Sequence, residues 1–468
     1  MKSLLFSFLV IFALAFGQNW VGPYQLTDNS ADDINPSVCQ EWVVGDMTWL
    51  VWQTNRNGNW DIYSKSCSFY NGNGWGSEIP VCVDSADDVN PVVVSMNDAV
   101  DHPSFWCFWE RMTSPVSGSI LGSYITFRDV WSEPVEIGRT LHSPDESSFP
   151  SAIAIRGQNG DTIWVAWVNH DTGGYSIEYA FNPNPYNPRD SWYGPFIAVA
   201  TSSPICHVRI GRGRLPFGGQ ACPVLTWEQE NNIFYSWYMD GSWTRPQEVA
   251  PSPALDQNPE IISYHPLYQI GPWITWESMR DGDTAIYGTA MDTFSIGRRW
   301  CQTAGAGVNL SPCGTPAFYT TENFIEPRMV VWTTDRNGNF DIYSSGLLPS
   351  EDNWVDTNPA MDINPALTTI GVTQNWCVWQ SNRNGNWDIF GSYIYATGMT
   401  ENGRQKIENF GLRSPVFGHF EGPGVLLNAS GQKVAILQPG VNKFGLGSGV
   451  YFLLLDKWQK CVKILMVK

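Results

Sequence analysis

The sequence predicts an all-β chain: a seven-bladed β-propeller closed by an N-terminal strand, followed by a small C-terminal β-sandwich. Three observations carry this reading. Trp52, Trp109, Trp167, Trp227, Trp276, Trp332 and Trp379 recur at intervals of 57, 58, 60, 49, 56 and 47 residues, the mark of a repeat architecture. A second series, Trp20, Trp75, Trp131, Trp192, Trp243, Trp300 and Trp354, interleaves with the first, and most of its members open a Trp-x-x-Pro phrase. The composition, 14% aromatic and 15% charged with 43 Gly and 31 Pro, suits strands and turns better than solvated helices.

From the N-terminus, Lys2 is followed by an apolar run from Leu4 to Phe16 and a small-x-small phrase at Ala15-Phe16-Gly17. Such a segment reads as a secretory signal peptide over residues 1–17, too short to span a bilayer, so a secreted or surface-attached protein is expected. The formal charge is -18, and a field of that sign repels phosphate backbones and anionic membranes, which disfavours nucleic acid as a partner. Ten cysteines are dispersed without a C-x-x-C pair, so neither zinc nor a compact disulfide framework is indicated. Cys67 with Cys82, Cys206 with Cys222 and Cys301 with Cys313 lie close enough in sequence to bridge neighbouring strands.

Within residues 18–397 one unit runs from Asn35-Pro36 through Trp49-Leu50-Val51-Trp52, the turn Asn55 to Asn59, Trp60-Asp61-Ile62-Tyr63 and the stretch from Trp75 to Val83. Four short strands are thereby separated by turns. Asn57-Gly58 suits a tight hairpin with positive φ, and the same turn recurs at Asp281-Gly282, Asn337-Gly338 and Asn384-Gly385. Units restart at Asn35-Pro36, Asn90-Pro91, Phe149-Pro150, Ser203-Pro204, Asn258-Pro259, Thr315-Pro316 and Asn364-Pro365, which gives seven. Four-stranded units repeated seven times describe a propeller, with the first tryptophan series filling the wedges between sheets. Trp20 precedes Trp52 at the spacing of a fourth strand but belongs to no earlier unit, while the last unit lacks such a strand. Residues 19–27 are therefore expected to complete the seventh blade and hide two sheet edges.

The phrase Trp-x-x-x-Arg-x-Gly-x-x-Asp-Ile-(Tyr/Phe), present from Trp52 to Tyr63, Trp332 to Tyr343 and Trp379 to Phe390, resembles the repeat of TolB-type propellers. The unit at Trp276 keeps Arg280, Gly282, Ile286 and Tyr287 but has Ala285 for the aspartate. The resemblance implies an interaction platform.

Beyond residue 397 the tryptophan rhythm stops, and strand-like runs separated by turns suggest a small β-sandwich over residues 398–468. The phrase Ser448-Gly449-Val450-Tyr451-Phe452 and the basic, apolar ending from Lys463 to Lys468 resemble the C-terminal sorting domain of the type IX secretion system. That resemblance implies export across an outer membrane by the type IX machinery, removal of the tail, and surface attachment or release.

Standard catalytic signatures are missing: no nucleophile elbow, no His-Glu-x-x-His, no phosphate loop and no dinucleotide fingerprint. Glu110, Glu228 and Glu277 follow the blade tryptophan, the best case for paired carboxylates, yet Gln53, Val168, Thr333 and Gln380 fill the same slot elsewhere. Acids precede each unit at Asp32, Asp33, Asp87, Asp88, Asp145, Glu146, Asp256 and Asp362; a ring of carboxylates at the channel mouth could hold Ca²⁺, and such aspartates also form turns. On the same face Arg56, Arg280, Arg336 and Arg383 with Trp60 and Trp387 form a candidate surface for a glycan or protein, the alternative being arginine pairs with Asp61, Asp341 and Asp388 across each hairpin. The reading is a binding platform without enzymatic activity; a carbohydrate-active hydrolase or lyase using acids on one face is the other.

Overall fold

The computed structural model describes residues 20–40, 47–68, 74–96, 105–125, 130–142, 148–157, 160–185, 192–214, 221–263, 272–291, 298–299, 307–315, 329–345, 352–368 and 374–395, with further strands between 416 and 466. Contacts divide the chain into residues 1–396 and 397–468. The first unit is a seven-bladed β-propeller, and no helix occurs among the described residues.

Each blade is an antiparallel meander. Blade one comprises Asp33–Gln40, Met47–Thr54, Asp61–Ser68 and Ile79–Cys82, hydrogen-bonded in that order from the axis outward. The innermost strands of blades two to seven are Asp87–Ser95, Ser151–Gly157, Ile205–Arg214, Asp256–Ile262, Asn309–Thr315 and Asp362–Leu367. Blade seven orders Asp362–Leu367, Gln374–Ser381 and Asp388–Tyr395, and its outer strand is Val21–Gln25 from the opposite end of the chain. The expected closure is therefore observed. Val21 pairs with Tyr393, Tyr24 with Gly391 and Gln25 with Phe390.

Two unit starts are displaced from the sequence reading. A residue with left-handed backbone begins every blade: Asn35, Asn90, Phe149, His207, Asn258, Ser311 and Asn364, with φ between 35° and 55°. In blade four this is His207 and not Ser203, and in blade six it is Ser311 and not Thr315. The Ser203-Pro204 and Thr315-Pro316 dipeptides mimic the Asn-Pro phrase, whereas the bulge that defines the unit lies between Cys206 and Arg209 and between Leu310 and Cys313.

The two tryptophan series do different work. All seven of the first series are fully buried, each on the second strand of its blade. The second series joins blades: Trp131 packs edge-on against Trp49 at 5.6 Å, Trp192 against Trp106 at 5.7 Å and Trp75 against Trp376 at 5.2 Å. Trp131 Nε1 donates to Ser64 Oγ at 2.8 Å, and Trp20 Nε1 donates to the equivalent Ser344 Oγ at 3.0 Å. Trp20 thus occupies the outer-strand position of blade seven by packing as well as by spacing.

Cys206 lies opposite Glu228 while Cys222 lies opposite Gly213, so the neighbouring strands do not align that pair. In the second unit Gly424–Asn428, Lys433–Leu437, Gly449–Leu455 and Lys460–Met466 form one four-stranded antiparallel sheet, and Val416–Phe420 pairs with Gly440–Phe444. Gly449 to Phe452 therefore lie on a strand, whereas Ser448, Lys468 and the signal segment 1–17 fall outside the described residues.

Candidate functional site

The turn between the second and third strands and the start of the innermost strand meet on one face. In blade one Asn55 N–H donates to Asp32 O at 3.2 Å, and Gly58 N–H to Asn55 O at 3.0 Å. Gly58, Gly282, Gly338 and Gly385 supply the positive φ of the turn, at 87° to 99°. Asn57 does not share it; its amide instead donates to Asp61 Oδ2 at 2.7 Å.

The aspartates at the strand starts are brought to arginines and not to one another. Arg56 Nη2 lies 3.3 Å from Asp33, Arg111 Nε 2.8 Å from Asp88, Arg280 Nη2 2.5 Å from Asp256 and Arg383 Nη2 3.0 Å from Asp362. All four carboxylates are buried. Each guanidinium except that of Arg111 also lies over a ring of its blade, Arg56 4.2 Å from the Tyr63 centroid, Arg280 4.9 Å from Tyr287 and Arg383 4.0 Å from Phe390, while Arg336 lies 4.1 Å from Tyr343. The pairs across the hairpin, Arg56 with Asp61 and Arg383 with Asp388, are replaced by pairs to the innermost strand because Asp61 and Asp388 are occupied by the turn amides of Asn57, Asn59, Asn384 and Asn386. Asp32 accepts the backbone N–H of Trp387 at 3.0 Å and Asp87 that of Trp60 at 2.9 Å, so Asp32, Asp87, Trp60 and Trp387 join one blade to the next. Asp145 and Glu146 lie outside the described residues.

Among the described residues Cys82, Asp84 and Asp88 converge closely enough to hold a metal. Arg111 already sits among them, bonding Cys82 Sγ at 3.0 Å, Asp84 and Asp88. Burial and Asp88 push the Cys82 thiol up to about 12, and the Arg111 guanidinium supplies the positive charge among these groups.

Asp341 and Asp388 are also buried, and desolvation, partly offset by amide donors, raises both carboxyls above 3.8. A folded pKa above the unfolded one means stability that is full below 3.8 and lost as pH rises through the folded value. Lowering pH from about 7 toward about 4 is thus expected to raise the urea midpoint, in the same sense as relief of the -18 charge. The rise should shrink in Asp341→Asn/Asp388→Asn; an undiminished rise would remove these groups from the account.

The glutamates and glutamines after the blade tryptophan form a belt around the channel. Gln53 Oε1 accepts the Asn35 amide at 3.0 Å and the backbone N–H of Asn90, in the next blade, at 2.8 Å. Gln380 Oε1 accepts the Asn364 amide at 3.2 Å and Asn35 N–H at 3.0 Å. Glu277 Oε1 accepts the Asn258 amide at 2.8 Å and Ser311 N–H at 2.7 Å, while Glu110 Oε2 accepts Ser148 N–H at 2.8 Å. The slot that looked tolerant in sequence is a staple: Gln53, Gln380, Glu277 and Glu228 each satisfy the backbone N–H of a left-handed residue in the next blade. Val168 offers no acceptor there, and Thr333 Oγ1 has no partner among the described residues.

Inside the belt the innermost strands of all seven blades line a channel cavity of about 620 Å³. Asn35, Asn90, Asn258 and Asn364 give its mouth amide character, and Phe149 is 42% exposed there. Charge enters from blades four and five alone among the lining residues: His207, Arg209, Arg212 and Glu260. His207 Nδ1 lies 3.0 Å from Glu228 Oε2, which also accepts Asn258 N–H at 3.2 Å. Arg209 Nε donates to Glu260 Oε2 at 2.9 Å. Sequence reasoning missed His207 because the start of blade four was placed at Ser203, four residues early; the usable signal was that His tolerates positive φ as Asn does.

No family model matches the chain. No curated protein matches it either. Among solved structures it is similar to a protein of unknown function from Dyadobacter fermentans (10% identity, TM-score 0.47, covering 81% of this chain and 99% of that one). It is similar also to an oligogalacturonate lyase from Vibrio parahaemolyticus (9%, TM-score 0.46, 82% and 95%) and to a putative TolB from Agrobacterium tumefaciens (13%, TM-score 0.30, 57% and 83%). At these values no residue role passes from them to this chain.

Proposed function

We propose that the chain is a secreted or surface-displayed propeller that binds a protein or glycan at its channel face without catalysis, exported through a C-terminal type IX sorting segment. One observation carries the binding reading: the carboxylates at the strand starts are committed to arginine pairs, while the channel is lined by asparagine side chains, the half-exposed Phe149 and the His207, Arg209 and Glu260 cluster. Amides recognise hydroxyl and peptide groups alike, which is why both ligand classes stand. Probing glycan and envelope-protein arrays with the chain from residue 18 onward should give a saturable ligand, weakened in His207→Ala and Arg209→Ala; a ligand indifferent to both substitutions would place binding elsewhere, and none would refute the reading.

The second reading, a carbohydrate-active hydrolase or lyase, is favoured by the His207 and Glu228 pair, an acid–base couple at hydrogen-bond distance opening on the cavity. Chromatography of any retained glycan after prolonged incubation separates the two, since product release requires turnover. For export, deletion of residues 424–468 should leave the protein inside the outer membrane, and normal export of the truncated chain would refute the sorting role.

A further inference from the structure

The rim of blade three carries aromatic rings that neither the channel nor the interblade staples use. Trp164, Phe181 and Tyr193 stand directly opposite one another on the second, third and outer strands, Gly160–Asp171, Gly174–Asn182 and Tyr193–Thr201. Their rings are nearly parallel: Trp164 and Phe181 have centroids 4.6 Å apart at 23°, and Phe181 and Tyr193 5.4 Å apart at 10°. Phe196 stacks on the same Phe181 at 6.2 Å and 29°. Exposure rises outward, from 7% at Trp164 to 49% at Tyr193 and 44% at Phe196, with Ile197 beside them at 64%. Blade four covers only the inner rings, through Tyr238 on Trp164 and Trp243 on Tyr179, because its outer strand is reduced to the two-residue pieces Ser242–Trp243 and Gln247–Glu248.

We propose that this platform binds a neutral glycan, the apolar C–H faces of its pyranose rings lying on Tyr193 and Phe196. A pyranose face presents weakly positive hydrogens to the negative face of an aromatic ring, and the exposed rings of Tyr193 and Phe196, both stacked on Phe181, suit that flat partner. The outer strand from Tyr193 to Thr201 carries no charged residue, in a chain of net charge -18. It therefore offers nothing to pair with a charged partner, and the surrounding field repels uronate-rich polymers. A second copy of the chain is disfavoured twice: Pro195, third of the nine residues of the edge strand, has no N–H for strand pairing, and like charge opposes self-association. This site is separate from the channel, so either can fail alone.

The test titrates the chain from residue 18 onward with cellohexaose, xylohexaose, mannohexaose and polygalacturonate, followed by calorimetry. Saturable binding of at least one neutral hexasaccharide is expected, weakened about tenfold or more in Tyr193→Ala/Phe196→Ala. Tyr193→Phe/Phe196→Tyr keeps both ring faces and should restore it, which a role for the Tyr193 hydroxyl would not predict. An unchanged melting temperature in the alanine variant, whose substituted side chains are half exposed, separates lost binding from lost fold. The proposal is overturned by no neutral binding, by binding of polygalacturonate alone, or by undiminished affinity in the alanine variant, the last being the result if the glycan sits in the channel.

Discussion

A chain lacking residues 20–27 is expected to lose more stability than any single substitution within a blade. This segment supplies the outer strand of blade seven, and its removal breaks bonds from Leu26 N–H to Ile389 O at 2.8 Å, Ile389 N–H to Thr27 Oγ1 at 2.9 Å and Lys65 Nζ to Leu26 O at 2.6 Å, besides the Trp20 bond to Ser344. Each contributes about 1 kcal/mol net. Leu26, 4% exposed between blades one and seven, adds about 2–3 kcal/mol for the cavity it leaves. Tyr24 also loses its stacking on Tyr393 at 6.0 Å and 7°. The total is on the order of 5 kcal/mol or more, comparable with the whole stability of many domains. A deleted chain with the melting temperature of the intact one would show that blade seven does not depend on its N-terminal strand.

The second large effect concerns Glu277, where structure and catalysis predict opposite outcomes. Its carboxylate, 2% exposed, accepts the Gln257 amide at 2.8 Å, the Asn258 amide at 2.8 Å and Ser311 N–H at 2.7 Å. Glu277→Ala leaves three half-buried donors without an acceptor, and the expected cost is about 2–3 kcal/mol, since hydrogen bonds to charged groups contribute most. Glu277→Gln keeps a carbonyl acceptor of the same length. Gln53 and Gln380 perform the same stapling in blades one and seven, so Glu277→Gln is expected to cost about 1 kcal/mol or less and to leave ligand binding intact. Glu277 acting only as a general acid or nucleophile would give a different pattern: a small stability loss in Glu277→Ala as well as in Glu277→Gln, with any turnover abolished in both. Urea unfolding of both variants, together with the glycan product assay, decides between them.

The blade count, the closure by Trp20 and the burial of the first tryptophan series were legible because each depends on a side chain whose size or spacing survives in nearly every unit. Two other features were hidden for physical reasons. The partners of Arg56 are Asp33, 23 residues away on the innermost strand, and Glu78, whereas Asp61 is closer in sequence and had to be excluded by seeing its oxygens taken by Asn57 and Asn59. The channel cluster was hidden by degeneracy of the left-handed position. Four blades place Asn there, but His207, Phe149 and Ser311 adopt the same φ, so the backbone requirement is uniform while the residue type is not. Glutamate at the staple slot was ambiguous in the same way, because an acceptor is needed and Gln or Glu supplies it equally.

The backbone-to-backbone bonds between turn and strand start repeat with one polarity. The turn of blade seven offers Trp387 O to Asp33 N–H of blade one at 2.7 Å, that of blade one offers Trp60 O to Asp88 N–H of blade two at 2.8 Å, and that of blade six offers Phe340 O to Asp362 N–H of blade seven at 2.8 Å. The propeller is thus a head-to-tail polymer of one interface, kept finite only because seven steps of rotation bring its ends together. Any lesion that parts blades seven and one would expose a donor end and a matching acceptor end on every molecule. Such a chain would have the means to grow into open filaments, and the N-terminal segment, whose Leu26 O accepts Lys65 Nζ of blade one at 2.6 Å, helps hold those ends together.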